Sequence, residues 1–524
     1  MSSDRERYLR ALAIAGLLPE FTWGTRALDA DNVAALLSAG DSLDQRHPWG
    51  VTLRRAASRR AGAGASVVAS YNTAFPWGAN DGPQWQGRGG NLATGVAMTV
   101  RLGPVRATLA PTLWLAQNTP FPLMATFGRT PYANALFPNG IDLPQRHGGT
   151  SVAHLAPGES SVRLEARGVV IGLSTAALGW GTGETFPALL GANAGGFPHL
   201  FVGTRARGVR LGGAGIFGVR YVLGTLAQSA WSPVTGSTIA RDSLETGTRR
   251  IGVGLVATWI PGFLPGVEVG AGRFFHSPWR ARDRWSVWRK PFEGVLKSER
   301  RPGEPELGVA DPFGDVDNQL ASLFVRWRFP RRGVELDAEV FRDDHNWDRR
   351  DLAQEPEQAG AIAASARVVT HRTSRHLGLL TLEYFDGDVR AVAQQRPNGF
   401  LYSHTPIRQG HTLRGQLMGA PMGAGGITAQ RLAWERFGAR GSVRAALQRW
   451  QPRSRPSSDP QLLFPPAGTA DSRAHDWVLD ASAGVTRLEG QRALSVDGGL
   501  AYAGVWQFGA SRANAYVRAS WTGF

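Results

Sequence analysis

Cysteine is absent from the 524 residues, which excludes disulfides and thiolate metal sites and fits an oxidising envelope compartment. No apolar run approaches the roughly 20 consecutive residues that a membrane-crossing helix requires. If the chain sits in a membrane, it must do so as a closed barrel that satisfies its own backbone hydrogen bonds. Neither an H-E-x-x-H helix, a Cys/His metal spacing nor a Gly-x-Ser-x-Gly elbow occurs, so no metal, cofactor or catalytic residue is assigned. Gly252 and Gly254 lie in alternating sequence and precede no helix, which removes a nucleotide loop. An export leader is also missing. The stretch 11–18 is apolar, but it follows Asp4 and Glu6 and no small-x-small cleavage site comes after it. The sequence therefore reads as a mature form.

What is abundant is punctuation. Gly at 66 and Pro at 32 suit many short strands separated by turns, in several domains or one large β structure. Eighteen Trp against eight Tyr point to aromatic girdles, stacking platforms or a large sandwich core. A formal charge of +16 points to an acidic partner, although solubility alone would also account for charge.

The N-terminal region differs from the rest. Tyr8, Leu9, Leu12, Ala15 and Leu18 recur at helical spacing and Pro19 stops that helix. Asp29 or Asp31 then caps a second helix through Val33, Leu36 and Leu37, ended by Gly40. These helices are expected to pack on the main body as a small element over 1–62, with the barrel over 63–524. From about Ala65 the period becomes two. In Val334-Glu335-Leu336-Asp337-Ala338-Glu339-Val340 apolar and acidic residues alternate strictly. Leu323, Val325, Trp327 and Phe329 alternate with Arg326 and Arg328, and 161–167 repeats the scheme. A soluble sandwich turns its apolar face inwards, and a membrane barrel turns it to lipid.

Connection lengths separate the two. Strands placed by alternation number roughly eighteen. Short connections at 103–104, 167–168, 330–333, 372–375, 438–440 and 489–492 alternate with long ones at 75–91, 118–160, 179–197, 276–316, 343–358, 386–426 and 451–474. Only the last loop, near 506–511, is short in the long class. The pattern predicts an all-β transmembrane antiparallel barrel in the outer membrane, with tight periplasmic turns, periplasmic termini and extracellular loops. Phe524 would close the final strand. Its phase differs from that of Ala515, Val517, Ala519 and Trp521, so a bulge near Gly523 is needed to point it outwards.

Several segments, taken in order, resemble the capsule assembly Wzi family of outer-membrane proteins. They are the helix at 9–18; Tyr71-Asn72-Thr73-Ala74-Phe75-Pro76 with Asn80-Asp81-Gly82 and Trp85-Gln86-Gly87-Arg88-Gly89; and Trp180-Gly181-Thr182-Gly183 with Asn193-Ala194 and Gly196-Phe197-Pro198. Glu339 with Asp343-Asp344-His345 and Glu355-Pro356-Glu357 follows, then Tyr402-Ser403-His404 with Gly410-His411-Thr412. The resemblance implies an eighteen-stranded barrel with a small periplasmic helical element, acting as a lectin-like anchor for capsular polysaccharide.

The residues themselves supply sugar chemistry in 274–297. There Trp279, Trp285 and Trp288 interleave with Arg280, Arg282, Arg284, Arg289 and Lys290; indoles stack on sugar rings and guanidiniums clamp uronate carboxylates. The alternative is a girdle or a loop-packing cluster. In the first loop Asp81, Gln84, Trp85, Gln86 and Arg88 meet sugar hydroxyls or build a folded plug. The expected partners are thus acidic polysaccharide and outer-membrane lipid, without nucleic acid, for a monomeric barrel. Rival readings are an anion-preferring channel lined by Arg163, Arg326 and Arg328, a glycan hydrolase using Asp343 with Asp344 or Glu355 with Glu357, and a soluble β lectin.

Overall fold

The computed structural model describes residues 4–25, 48–49, 61–124, 126, 130–134, 140–236, 247–279, 286–296, 317–343, 349–354, 360–387, 401–404, 407–421, 425–452, 477–490, 492–504 and 510–523. Eighteen antiparallel strands form one closed barrel. They are β1 (Ala61–Asn72), β2 (Gly89–Leu102), β3 (Val105–Leu109 continued as Thr112–Ala116), β4 (Val152–Ala156 continued as Ser161–Ala166), β5 (Val169–Ser174), β6 (His199–Thr204 continued as Val209–Arg210), β7 (Gly215–Leu226), β8 (Arg250–Pro261) and β9 (Val267–Pro278). The second half comprises β10 (Asn318–Phe329), β11 (Val334–Asp343), β12 (Gly360–Arg372), β13 (His376–Asp386), β14 (Ile427–Gly438), β15 (Gly441–Pro452), β16 (Trp477–Glu489), β17 (Arg492–Gly504) and β18 (Arg512–Gly523). Closure is direct, with Ala65 opposite Gly523 and Asn72 opposite Tyr516. Breaks in β3 and β4 fall at Pro111 and Pro157, which have no N–H to give the ladder.

The wall is turned inside out relative to a soluble sheet. Leu323 is 66% exposed and Trp327 46%, whereas Arg326 between them is 2% exposed. On β11, Leu336 and Val340 face out while Glu335, Asp337 and Glu339 are buried. An apolar exterior over so many strands far exceeds the few hundred Å² that a soluble monomer leaves exposed, and it is stable only against hydrocarbon.

One rim carries tight turns. Arg167 and Gly168 both have positive φ (48° and 88°), the geometry a two-residue hairpin needs to match strand twist. The other rim carries the long connections. Two turns, at 211–214 and 262–266, and the loop at 227–249 are additional to those expected from the sequence. For the loop at 227–249 and the turn at 262–266 the reason lies in β8, which has no charged residue after Arg250 and so shows no charged phase to mark its alternation.

The helix α1 (Asp4–Ile14) enters the barrel at the turn rim. Tyr8 to Ile14 are all buried, as expected of a helix enclosed on every side. It ends earlier than the Pro19 stop expected from spacing. Gly16 takes φ +69°, with Gly16 N–H donating to Ala13 O (3.1 Å) and Leu17 N–H to Leu12 O (2.9 Å), a Schellman cap. Tyr8 stacks on Trp49 and meets Phe437 edge-on. The second helix expected over 31–40, and Phe524, lie outside the described residues.

Candidate functional site

Inside the barrel, wall carboxylates hold what enters from both rims. Arg10 of α1 pairs with Glu335 (2.8 Å) and Asp337 (3.4 Å). Arg367 meets Asp337, Glu335 and Glu383, and Arg326 meets Glu268 and Glu335. The loop at 175–198 folds inwards from the opposite rim. Thr182 N–H donates to Glu339 (3.0 Å), and the Glu184 and Thr185 N–H groups donate to Glu383 (2.9 and 3.0 Å). At Gly181 an added Cβ would collide with the Glu339 carboxylate, so a glycine is required there. The two intrusions meet. Arg10 lies 3.8 Å from Glu184, and Gly181 N–H donates to Gly24 O (3.0 Å). Isolated buried charges cost several kcal/mol each, roughly, so only this mutual matching makes the interior stable.

Above this ionic layer the loops build their own apolar core from Trp180, Phe186, Leu189, Phe274, Phe385 and Tyr402, among others. Polar links pin it. His276 and His411 share a hydrogen bond (2.7 Å), His411 reaches Leu189 O (2.6 Å), and Arg250 donates to Gly410 O and Thr412 O (2.6 and 2.7 Å). Tyr402 OH donates to Ala188 O (2.5 Å). Burial pushes the His411 imidazole down to about 3, against a favourable hydrogen bond to Leu189 O, so it is neutral at pH 7. Asp142 is raised by burial despite hydrogen bonds from Ser229 and Gly415.

The other half of the lumen is not filled in this way. Beneath the first loop, and against β1 and β13 to β18, lies a cavity of about 180 Å³. Trp77 and Trp450 stand beside each other in its wall, with ring centroids 4.9 Å apart and planes inclined by 39°. Tyr516, Gln448, Asp480 and Arg431 also line it. Gln448 donates to Asp480 (3.0 Å). Two buried donors that line the cavity, Trp450 Nε1 and Gln86 Nε2, have no hydrogen-bond acceptor among the described residues. Of the lining cations, Arg444 is tied to Asp497 and Asp4 and Arg518 to Asp81, whereas Arg431 has a carboxylate, Glu383, only at 3.7 Å.

The residues singled out from sequence are dispersed by the fold. Arg282, Arg284 and Trp285 lie outside the described residues, as do 344–348 and 355–359 with their carboxylates. Trp279 is 38% exposed at the end of β9, and Trp288 is 51% exposed. Trp288 belongs to a 3-10 turn, Val287–Phe292, that lies on the outside of the wall. Val287 packs with Ile251, Val253 and Phe275. Tyr221 OH donates to Trp288 O (3.1 Å), and Arg273 donates to Pro291 O (3.1 Å) and Glu293 O (2.6 Å). Arg289 points to solvent, 3.9 Å from Glu293, whereas Lys290 is buried against Asp317 at 2.5 Å. In the first loop, Trp85 stacks on His147 (4.6 Å, 9°), which stacks in turn on Trp231 (4.7 Å). Burial holds His147 down to about 3. Arg88 ties two loops together through Thr73 O (3.0 Å) and Pro120 O. Sequence reasoning missed Trp77, Trp450, Tyr516 and Arg431; nothing local marks them, since they converge only when β1 closes on β18.

Neither a family model nor a curated protein matches the sequence. Among solved structures, this chain is similar to Wzi of Escherichia coli, described as an outer membrane protein involved in group 1 capsule assembly and a carbohydrate-binding β-barrel. That likeness covers 98% of this chain and 96% of Wzi, with a TM-score of 0.61 and 12% identity. OccK7 (OpdD) of Pseudomonas aeruginosa is similar over 89% of this chain and 99% of its own, with a TM-score of 0.42 and 9% identity. The barrel expected from the resemblance is the barrel found.

Proposed function

We propose that the chain is an outer-membrane barrel, with its turns and termini in the periplasm and its long loops outside, that binds an acidic polysaccharide and anchors or organises it at the cell surface. The observation that carries this reading is the cavity beneath the first loop. Trp77 and Trp450 put indoles in its wall, Trp450 Nε1 and Gln86 Nε2 are buried donors with no acceptor among the described residues, and Arg431 supplies a cation. A sugar ring brings apolar C–H faces, hydroxyl acceptors and, in a uronate, a carboxylate for the guanidinium. The likeness to Wzi, itself described as carbohydrate-binding, points the same way.

The role is binding, not turnover. Asp343, one of the carboxylates a hydrolase would use, accepts from Tyr402 N–H and Asn318 and so works as scaffold. A channel is disfavoured because the interior arginines at 10, 326 and 367 are matched to carboxylates, and because helix and loop meet between the rims. Deletion of the gene in its host tests the proposal. The expected result is polysaccharide released to the medium while total synthesis is unchanged; full surface retention in the deletion strain overturns it.

A further inference from the structure

The cavity beneath the first loop holds a buried acceptor as well as buried donors. Asp480 lines it and is only 4% exposed. Gln448 donates to Asp480 Oδ2 (3.0 Å), whereas Asp480 Oδ1 accepts no hydrogen bond among the described residues. Tyr516 and Trp77 also face this carboxylate, and Arg431 is the charge that acts on it. In the same lining, Trp450 Nε1 and Gln86 Nε2 are the donors without an acceptor among those residues.

These atoms lie towards the loop rim. Asp480 is the fourth residue of β16, about 10 Å below that rim at ~3.3 Å per residue, and Trp450 stands two residues before β15 ends at Pro452. At the turn side the lining groups are tied to one another instead. Arg444 meets Asp497 and Asp4, Arg7 meets Glu435 (2.8 Å), and Thr486 donates to Asp4 (2.6 Å).

Donors and an acceptor in one cavity select by chemistry. A bare anion satisfies the Trp450 and Gln86 N–H groups but brings only acceptors and like charge to Asp480. An ester has no proton to give and adds bulk. A hydroxyl both donates and accepts, and only a donor restores to a buried carboxylate oxygen the hydrogen bond it gave up on leaving water. We propose that Asp480 determines specificity in this cavity by accepting from a free sugar hydroxyl, so that the site takes a ring unsubstituted at that oxygen and rejects the O-acylated ring. The inference rests on the reading of this cavity as a glycan site and deepens it. A uronate carboxylate on the same ring is left to Arg431.

The test is calorimetric titration of the full detergent-solubilised chain with acidic polysaccharide purified from the surface of its host. Two forms are compared, one freed of O-acyl groups by mild alkali and one chemically O-acetylated, with the carboxylates intact in both. The wild type is expected to bind the first form about tenfold or more tightly than the second, since a site built to bond a hydroxyl rejects the analogue that lacks it. Asp480→Ala removes the acceptor and opens room for an ester. It is expected to weaken binding of the first form about tenfold and to bind the two forms alike, a loss of discrimination that a purely structural role would not produce. Heat-modifiable migration checks that the barrel has formed. Should Asp480→Ala not fold, Asp480→Asn, which keeps the shape and puts N–H groups in place of one oxygen, is read by the same loss of discrimination. Equal binding of both forms by the wild type, or an unchanged preference in a folded variant, overturns the inference and leaves the glycan reading standing. No binding of either form by the wild type overturns that reading, and the inference with it.

Discussion

The two halves of the lumen solve the same problem in opposite ways. Against β10 to β13, helix α1 and the loop at 175–198 fill the space, and Arg10, Arg367 and Arg326 meet Glu335, Asp337 and Glu268 there. Against β1 and β13 to β18 the protein stops short, leaving a cavity with Trp77, Trp450 and Tyr516 in its lining. Buried donors without a hydrogen bond among the described residues occur in both halves, Trp23 Nε1 and Trp180 Nε1 in the filled one and Trp450 Nε1 and Gln86 Nε2 in the other. What differs is that only the second pair borders an open cavity of this size.

Breaking the filled half should have the largest effect. Arg367→Ala strips the charge partner from Asp337 and Glu335 and is expected to cost ~3–5 kcal/mol, read as a lower temperature for the loss of heat-modifiable migration. Excising 176–197 should raise single-channel conductance about tenfold, because the loop rather than the wall occupies the path. An unchanged conductance would place the closure elsewhere.

Acidification sharpens the comparison further. His147 and His411 belong to the loop packing, and both are held down to about 3 by burial. Their unfolded value is about 6.5, so between those limits the unfolded chain binds more protons. Stability is therefore full above about pH 6.5 and falls as pH drops towards 3. Thermal unfolding followed from pH 7 to pH 4 should show this decline, and His147→Gln should flatten it. Asp4 acts in a lower window. Burial raises its carboxyl, but Arg7 and Arg444, with a hydrogen bond from Thr486, outweigh that and hold it below the usual range. Its hold on the helix is kept above about pH 4 and lost below. The smallest effect is expected from Arg289→Ala, whose side chain lies on the outer surface: a change within about 0.5 kcal/mol in stability, and unchanged polysaccharide retention.

The wall was legible in the sequence because its charges face inwards. Glu335, Asp337 and Glu339 mark every second position of β11, and the alternation of short and long connections did the rest. The strand without such a phase, β8, cost one turn and one loop. The resembling blocks also proved to be informative, though about scaffold. Gly181, Thr182, Glu339, Asp343, Tyr402 and His411 are the points at which the inner loops are pinned. The cavity was not legible, because its parts are joined only by closure: Trp77 meets Trp450 across most of the chain. Arginine and tryptophan clustered along 279–290 gave a strong local signal, yet Trp288 and Arg289 lie on the outer wall and Lys290 is buried. Local density of the right residue types does not say which side of a barrel they will face.

The most direct test immobilises purified acidic polysaccharide on a sensor surface and passes over it the detergent-solubilised wild type and the Arg431→Gln/Gln86→Ala double variant. If the unfilled half of the lumen holds the sugar, the folded variant loses about tenfold in affinity and Arg289→Ala loses nothing. Equal binding by the double variant and the wild type would contradict that assignment.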